Sequence, residues 1–103
     1  MEFEWDEDKS LRCLNERGFD FAYAAQVFFD PERLIEEDTR FEYGERRFRV
    51  IGCIEQRLFV VIYTPRGRAI RIISARKANR REIRRYGKDC ARSHSTGAAG
   101  GAH

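Results

Sequence analysis

Phe3 and Trp5 alternate with Glu2, Glu4 and Asp6, a period of two that predicts a short strand with one apolar face. The pattern then turns helical. Asp6 is placed to cap a helix starting at Glu7, Asp8 lies in its first turn, and Gly18 suits its stop. Leu11 and Leu14 give this helix a narrow apolar stripe. Asp20 caps a second helix in which Phe21, Ala24, Ala25 and Phe28 recur at helical spacing, and Asp30-Pro31 ends it. Such a Phe/Ala stripe reads as core. Leu34 to Glu37 is a short strand before a polar link containing Gly44.

Three strands follow in quick succession, Arg46–Ile54, Leu58–Thr64 and Arg68–Ala75. Glu55-Gln56 and Pro65-Arg66-Gly67 join them, lengths suited to antiparallel hairpins. Leu58 to Tyr63 is apolar on both faces, so it is the expected central strand. With these turns, Arg47, Arg49 and Arg68 share a face with Ile51, Val60 and Ile70, and Arg71 takes the other. Asn79 with Glu82 makes a capping-box start for a last helix, whose Ile83, Tyr86 and Cys90 share a face. Arg80, Arg81, Arg84, Arg85 and Lys88 cover the rest of it. The fold class is α+β: two N-terminal helices, an antiparallel sheet of about four to five strands, and a basic C-terminal helix. One domain spans 1–91. The Ser/Gly/Ala-rich stretch 92–103 lacks the apolar content to order itself, and disorder is expected there.

Charge changes the picture. The net charge of +3 hides an asymmetry: residues 1–38 hold four Lys/Arg against twelve Asp/Glu, and residues 39–103 hold sixteen against five. Eleven of those cations lie within 66–92. Guanidinium forks match phosphate oxygens in pairs, so this stretch predicts a surface for nucleic acid. A charge run also serves as a mere solvated edge, and a basic face also suits an acidic protein partner.

Other chemistry is thinner. Cys13, Cys53 and Cys90 are odd in number, widely spaced and without a C-x-x-C, which predicts reduced thiols and no zinc site. His94 and His103 both fall in the tail, so histidine catalysis within the domain is not expected. The chain shows no apolar run of membrane-spanning length, and its acidic start does not resemble a secretory leader. A cytoplasmic location, no membrane and no cofactor are the expectations.

Several strings taken together resemble a known family. WDEDK at Trp5–Lys9, Gly18 ahead of a Phe/Asp segment, VFFDP at Val27–Pro31, RFRVIG at Arg47–Gly52, VVIYTPRG, and RIISARKANRREIRRY ending at Tyr86 look like the BrnT toxins. The likeness covers about residues 3–87. It implies a fold similar to RelE and a small endoribonuclease that arrests growth. It also implies a BrnA-like ribbon-helix-helix antitoxin, forming a heterotetramer with an antitoxin dimer and repressing the operon. One departure stands out: Glu16 and Arg17 replace a Lys-His pair common in that family before Gly18.

The RNA cleavage that this resemblance implies, run without metal, needs a base at the 2′-hydroxyl, positive charge around the phosphorane, and an acid at the leaving 5′-oxygen. Arginine is too basic to take a proton. Arg66, Arg76 and Arg80, with Arg81 beside them, are therefore expected to clamp phosphate oxygens. Glu82 is the nearest carboxylate able to act as base, against its alternative as a cap. Tyr86 or Lys77 would supply the proton, although Tyr86 equally suits packing beside Ile83. Arg84 and Arg85 extend the RNA surface, and Tyr63 or Tyr43 could stack a base. The alternative is a non-catalytic nucleic-acid-binding module using the same arginines.

Overall fold

The computed structural model describes residues 1–40, 42, 44–87 and 90. Strand β1 (Glu2–Trp5) leads into helix α1 (Glu7–Arg17), helix α2 (Phe21–Ala24) and a 3-10 turn over Ala25–Phe29. Strands β2 (Leu34–Glu37), β3 (Phe48–Ile54), β4 (Arg57–Arg66) and β5 (Ala69–Lys77) follow, then helix α3 (Arg80–Tyr86). Sheet order is β1-β5-β4-β3-β2. Neighbours are antiparallel except β1, which runs parallel to β5 with Phe3 opposite Ile70 and Trp5 opposite Ile72. The α+β expectation holds, with one parallel edge that the sequence did not announce. Tyr43, Lys88 and the tail lie outside the described residues, as do the expectations attached to them.

The expected caps form. Asp6 accepts from the Lys9 amide at 3.2 Å, and Gly18 adopts a left-handed φ of 88° while its N–H donates to Leu14 O. The apolar stripe assigned to α1 is wrong, however. Leu11 and Leu14 are exposed, and Ser10 and Cys13 are the buried pair. Ser10 Oγ accepts from the Phe21 amide at 3.0 Å, and the Cys13 thiol donates to Ala75 O. Two small side chains let α1 sit close to α2 and β5, and those bonds fix its rotation. Gly52 serves a similar close approach, since a Cβ there would lie 2.8 Å from Val27 O.

One sheet face carries the main core. Phe19, Phe21, Val27 and Phe28 pack on Val50, Phe59, Val61, Tyr63 and Ile72. Tyr63 stacks on Phe48 and meets Phe28 edge-on at 5.0 Å, so it is core and takes no part in stacking RNA bases. The second face is smaller: Ile51, Leu58 and Val60 pack under Tyr86, Ala78 and Cys90.

Three sequence expectations fail on this sheet, each for a physical reason. Ile62 pairs with Ser74 but Tyr63 pairs with Ile72, so Ile73 is a bulge. The extra residue reverses the facing of β5 before it. Ile70 joins the main core with Phe3, and Arg71 comes to the Ile51/Val60 face, where it meets Glu4 at 3.4 Å. The second turn is shorter than expected, because Pro65 and Arg66 continue β4 and only Gly67-Arg68 turns the chain. Proline is tolerated there since β3 pairing has already stopped at Phe48–Tyr63. Finally, Cys53 and Cys90 form a disulfide with Cα atoms 5.6 Å apart, against the expected free thiols. The end of β3 and the residues after α3 meet only in the tertiary fold. Cys13 remains a buried thiol, its pKa raised chiefly by burial.

Candidate nucleic-acid interface

The junction of β5 and α3 is built around one carboxylate. Asn79 Oδ1 accepts from the Glu82 amide at 2.9 Å, and Glu82 Oε1 accepts from the Asn79 amide at 2.8 Å, a complete capping box. Arg76 then donates Nη1 to Glu82 Oε1 at 2.8 Å and Nη2 to Oε2 at 2.9 Å. The Arg76 fork and the Asn79 amide hold the Glu82 pKa below its ordinary value, against a smaller opposing effect of burial. Both oxygens are therefore engaged and the carboxylate is made a weaker base. Its geometry is that of a cap that also orients Arg76.

Arg80, Arg81, Arg84 and Arg85 are exposed along α3. Among the described residues, Arg80, Arg81 and Arg84 have no carboxylate partner, while the Arg85 guanidinium lies 5.4 Å from the Tyr86 ring centre. Tyr86 is half-buried on Ile51 and Leu58. A cavity of 280 Å³ beside it is lined by Arg49, Arg81, Glu82, Arg85 and Tyr86. Arg49, which pairs with Glu36 across the β2–β3 ladder, was missed as a site residue. Its alternation with Ile51 was the signal available.

The remaining expected residues are dispersed. Lys77 follows Arg76 on a strand and so points to the opposite face, beside Phe19, Tyr23 and Phe59. Arg66 stands at the far end of the hairpin. It faces Ala69, whereas Arg76 faces Val60, six residues further along β4 and about 20 Å away. Arg66 meets Glu45 at 3.6 Å and cannot share one phosphate with Arg76 and Arg80. Arg47 reaches the same Glu45 at 3.6 Å, and Arg71 lies on this face as well. The arginines thus form a track along the sheet face rather than one clamp. Among the described residues, no group of three His, Cys, Asp or Glu side chains could hold a metal ion.

A family model described as the ribonuclease toxin BrnT of type II toxin–antitoxin systems matches residues 5–82. The chain belongs to this BrnT family. No curated protein matches it. The α+β architecture, with a mostly antiparallel five-stranded sheet, is consistent with the RelE-like BrnT fold. A BrnT toxin acts as a ribonuclease and has a cognate antitoxin. The match runs from Trp5, the last residue of β1, to the first turn of α3 and includes Arg76, Lys77, Arg80, Arg81 and Glu82. Arg84, Arg85 and Tyr86 lie beyond it. Among the described residues, no helix is long and apolar enough to cross a membrane.

Proposed function

We propose that this BrnT protein cleaves RNA without metal, by attack of a 2′-hydroxyl on the adjacent phosphorus, along the arginine track that ends at α3. The observation carrying this reading is the set of unpaired guanidiniums at Arg80, Arg81 and Arg84 beside an Arg76 held in place by Glu82. Fixed donors stabilise a phosphorane without having to reorganise as its charge develops. Arg76 and Arg80 contact the scissile phosphate, Arg81, Arg84 and Arg85 hold its neighbours, and Tyr86 offers a ring edge to a base. Arg66 binds the strand further along. Glu82 is a positioning residue here, and Lys77 is the proton donor reaching around the end of β5.

In this reading the toxin works in the cytoplasm, where it meets its RNA substrate. Its antitoxin, in this reading a ribbon-helix-helix dimer in a heterotetramer, presents carboxylates to α3 and excludes RNA from it. Purified protein incubated with RNA and EDTA tests the chemistry. Cleavage should continue and leave a 2′,3′-cyclic phosphate or 3′-phosphate with a 5′-hydroxyl. Products carrying 5′-phosphates would rule this mechanism out.

A further inference from the structure

A second cluster lies on the opposite face, around the β3–β4 turn and the end of α1. It encloses a cavity of 580 Å³, rimmed by Arg17, Tyr23, Glu55, Arg57 and Lys77 over Phe59. Tyr23 Oη donates to Glu55 Oε1 at 2.5 Å, and this bond raises the tyrosine pKa. Glu55 itself has φ 49°, and Gln56 has φ 69°. Two-residue hairpin turns with positive φ favour Asn and Gly, so a glutamate here is held against its backbone preference. Asp20 is occupied in capping α2 through the Tyr23 amide at 2.9 Å. Among the described residues, Arg17, Arg57 and Lys77 have no carboxylate partner. Lys77 faces Phe59, which makes Arg57 its diagonal neighbour on the same face, about 7–8 Å away between backbones.

We propose that this cavity is where the proton transfers of RNA cleavage take place, with Glu55 as general base and Lys77 as general acid. The assignment rests on the ribonuclease reading above. Tyr23 holds Oε1 of Glu55 and leaves Oε2 open to the substrate 2′-hydroxyl. Glu55 takes that proton as the 2′-oxygen bonds to phosphorus. The bond from phosphorus to the 5′-oxygen breaks, and Lys77 delivers a proton to the departing oxygen. Glu55 ends protonated and Lys77 neutral, and exchange with water restores both. Arg17 and Arg57 hold the substrate strand on this side, while the charge of the phosphorane stays with Arg76 and Arg80. Glu82 cannot do this work, since Arg76 and Asn79 occupy both its oxygens. The scissile phosphate crosses the sheet edge at the two-residue link Ala78-Asn79, with Lys77 on this side and Arg76 and Arg80 on the other.

The test compares cleavage rate and RNA affinity for the wild type, Glu55→Gln, Glu55→Gly and Tyr23→Phe. Glu55→Gln should lose about 100-fold or more in rate, with affinity changed by less than about threefold. Glu55→Gly relieves the positive φ, so it should melt no lower than the wild type and still lose the rate. Tyr23→Phe should lose less, because the base remains but is no longer held. Wild-type rates in both Glu55 variants would overturn the assignment while leaving the ribonuclease reading intact. A wild type that leaves RNA uncut under all conditions would overturn both.

Discussion

At the scale of single residues, Glu82 shows how one side chain can be committed before any substrate arrives. Its carboxylate closes the capping box and receives the Arg76 fork. Arg76 is 40% exposed while Glu82 is 14% exposed, so water screens the pair and its worth is about 1 kcal/mol. The sign of the pH effect follows from the lowered pKa. The stabilisation is complete above the ordinary value of 4.5 and is lost as pH falls through the depressed folded value. Glu82→Gln should therefore unfold in less urea than the wild type at pH 7, and the gap should narrow as the pH falls below 4.5. A gap that does not narrow in acid would mean that the ionised carboxylate adds nothing.

At the scale of elements, α3 is the least anchored piece of the domain. It spans seven residues and buries none of them fully, and Ile83 on it is 49% exposed. Packing alone holds such a helix weakly. The Cys53–Cys90 bond pins the chain just beyond it to the end of β3, closing a loop with a sequence separation of 37. Chain-entropy reasoning assigns such a closure on the order of 4 kcal/mol. Reduction by a dithiol should raise amide exchange across Arg80–Tyr86 while the β3–β5 hairpins keep their protection. If α3 exchange stays unchanged, the Tyr86 contacts suffice to hold it. The cytoplasm proposed for this toxin keeps most thiols reduced, so the same comparison shows which form of α3 meets RNA there.

At the scale of the whole molecule, charge is sorted along the chain and then sorted again by the fold. The twelve carboxylates of residues 1–38 fall largely on β1, α1 and β2, and of these Glu36 lines the cavity beside α3, where Arg49 already pairs with it. An uncovered α3 should bind RNA with strong salt dependence, because each neutralised phosphate releases counterion. An antitoxin that silences it by covering the same arginines must bring negative charge. Arg80→Glu with Arg81→Glu should then weaken both RNA and antitoxin binding, measured by competition between the two. Unchanged antitoxin affinity in that double variant would place inhibition on another surface.

Local chemistry made much of this protein legible without coordinates. Asp6, Asp20 and Asn79 each cap the helix assigned to them, because a cap needs only a side-chain oxygen near the next few amides. The Glu55-Gln56 hairpin and the apolar β4 strand followed from turn length and residue type. The family strings gave the fold and the ribonuclease class together. What failed depended on contacts between distant segments. The bulge at Ile73 decided which face Arg71 joins, and no local pattern announces one extra residue in a ladder. Ser10 and Cys13 replaced Leu11 and Leu14 as the buried face because the phase of α1 is set by Phe21 and Ala75. Period two parts Arg76 from Lys77, but only the register places Lys77 beside Arg57 and α1, with Arg17 from the far side of the sequence. The sequence determined which elements form and how much charge they carry. Tertiary packing decided which of those charges are already paired and which remain for a phosphate, because that depends on which faces the sheet brings together.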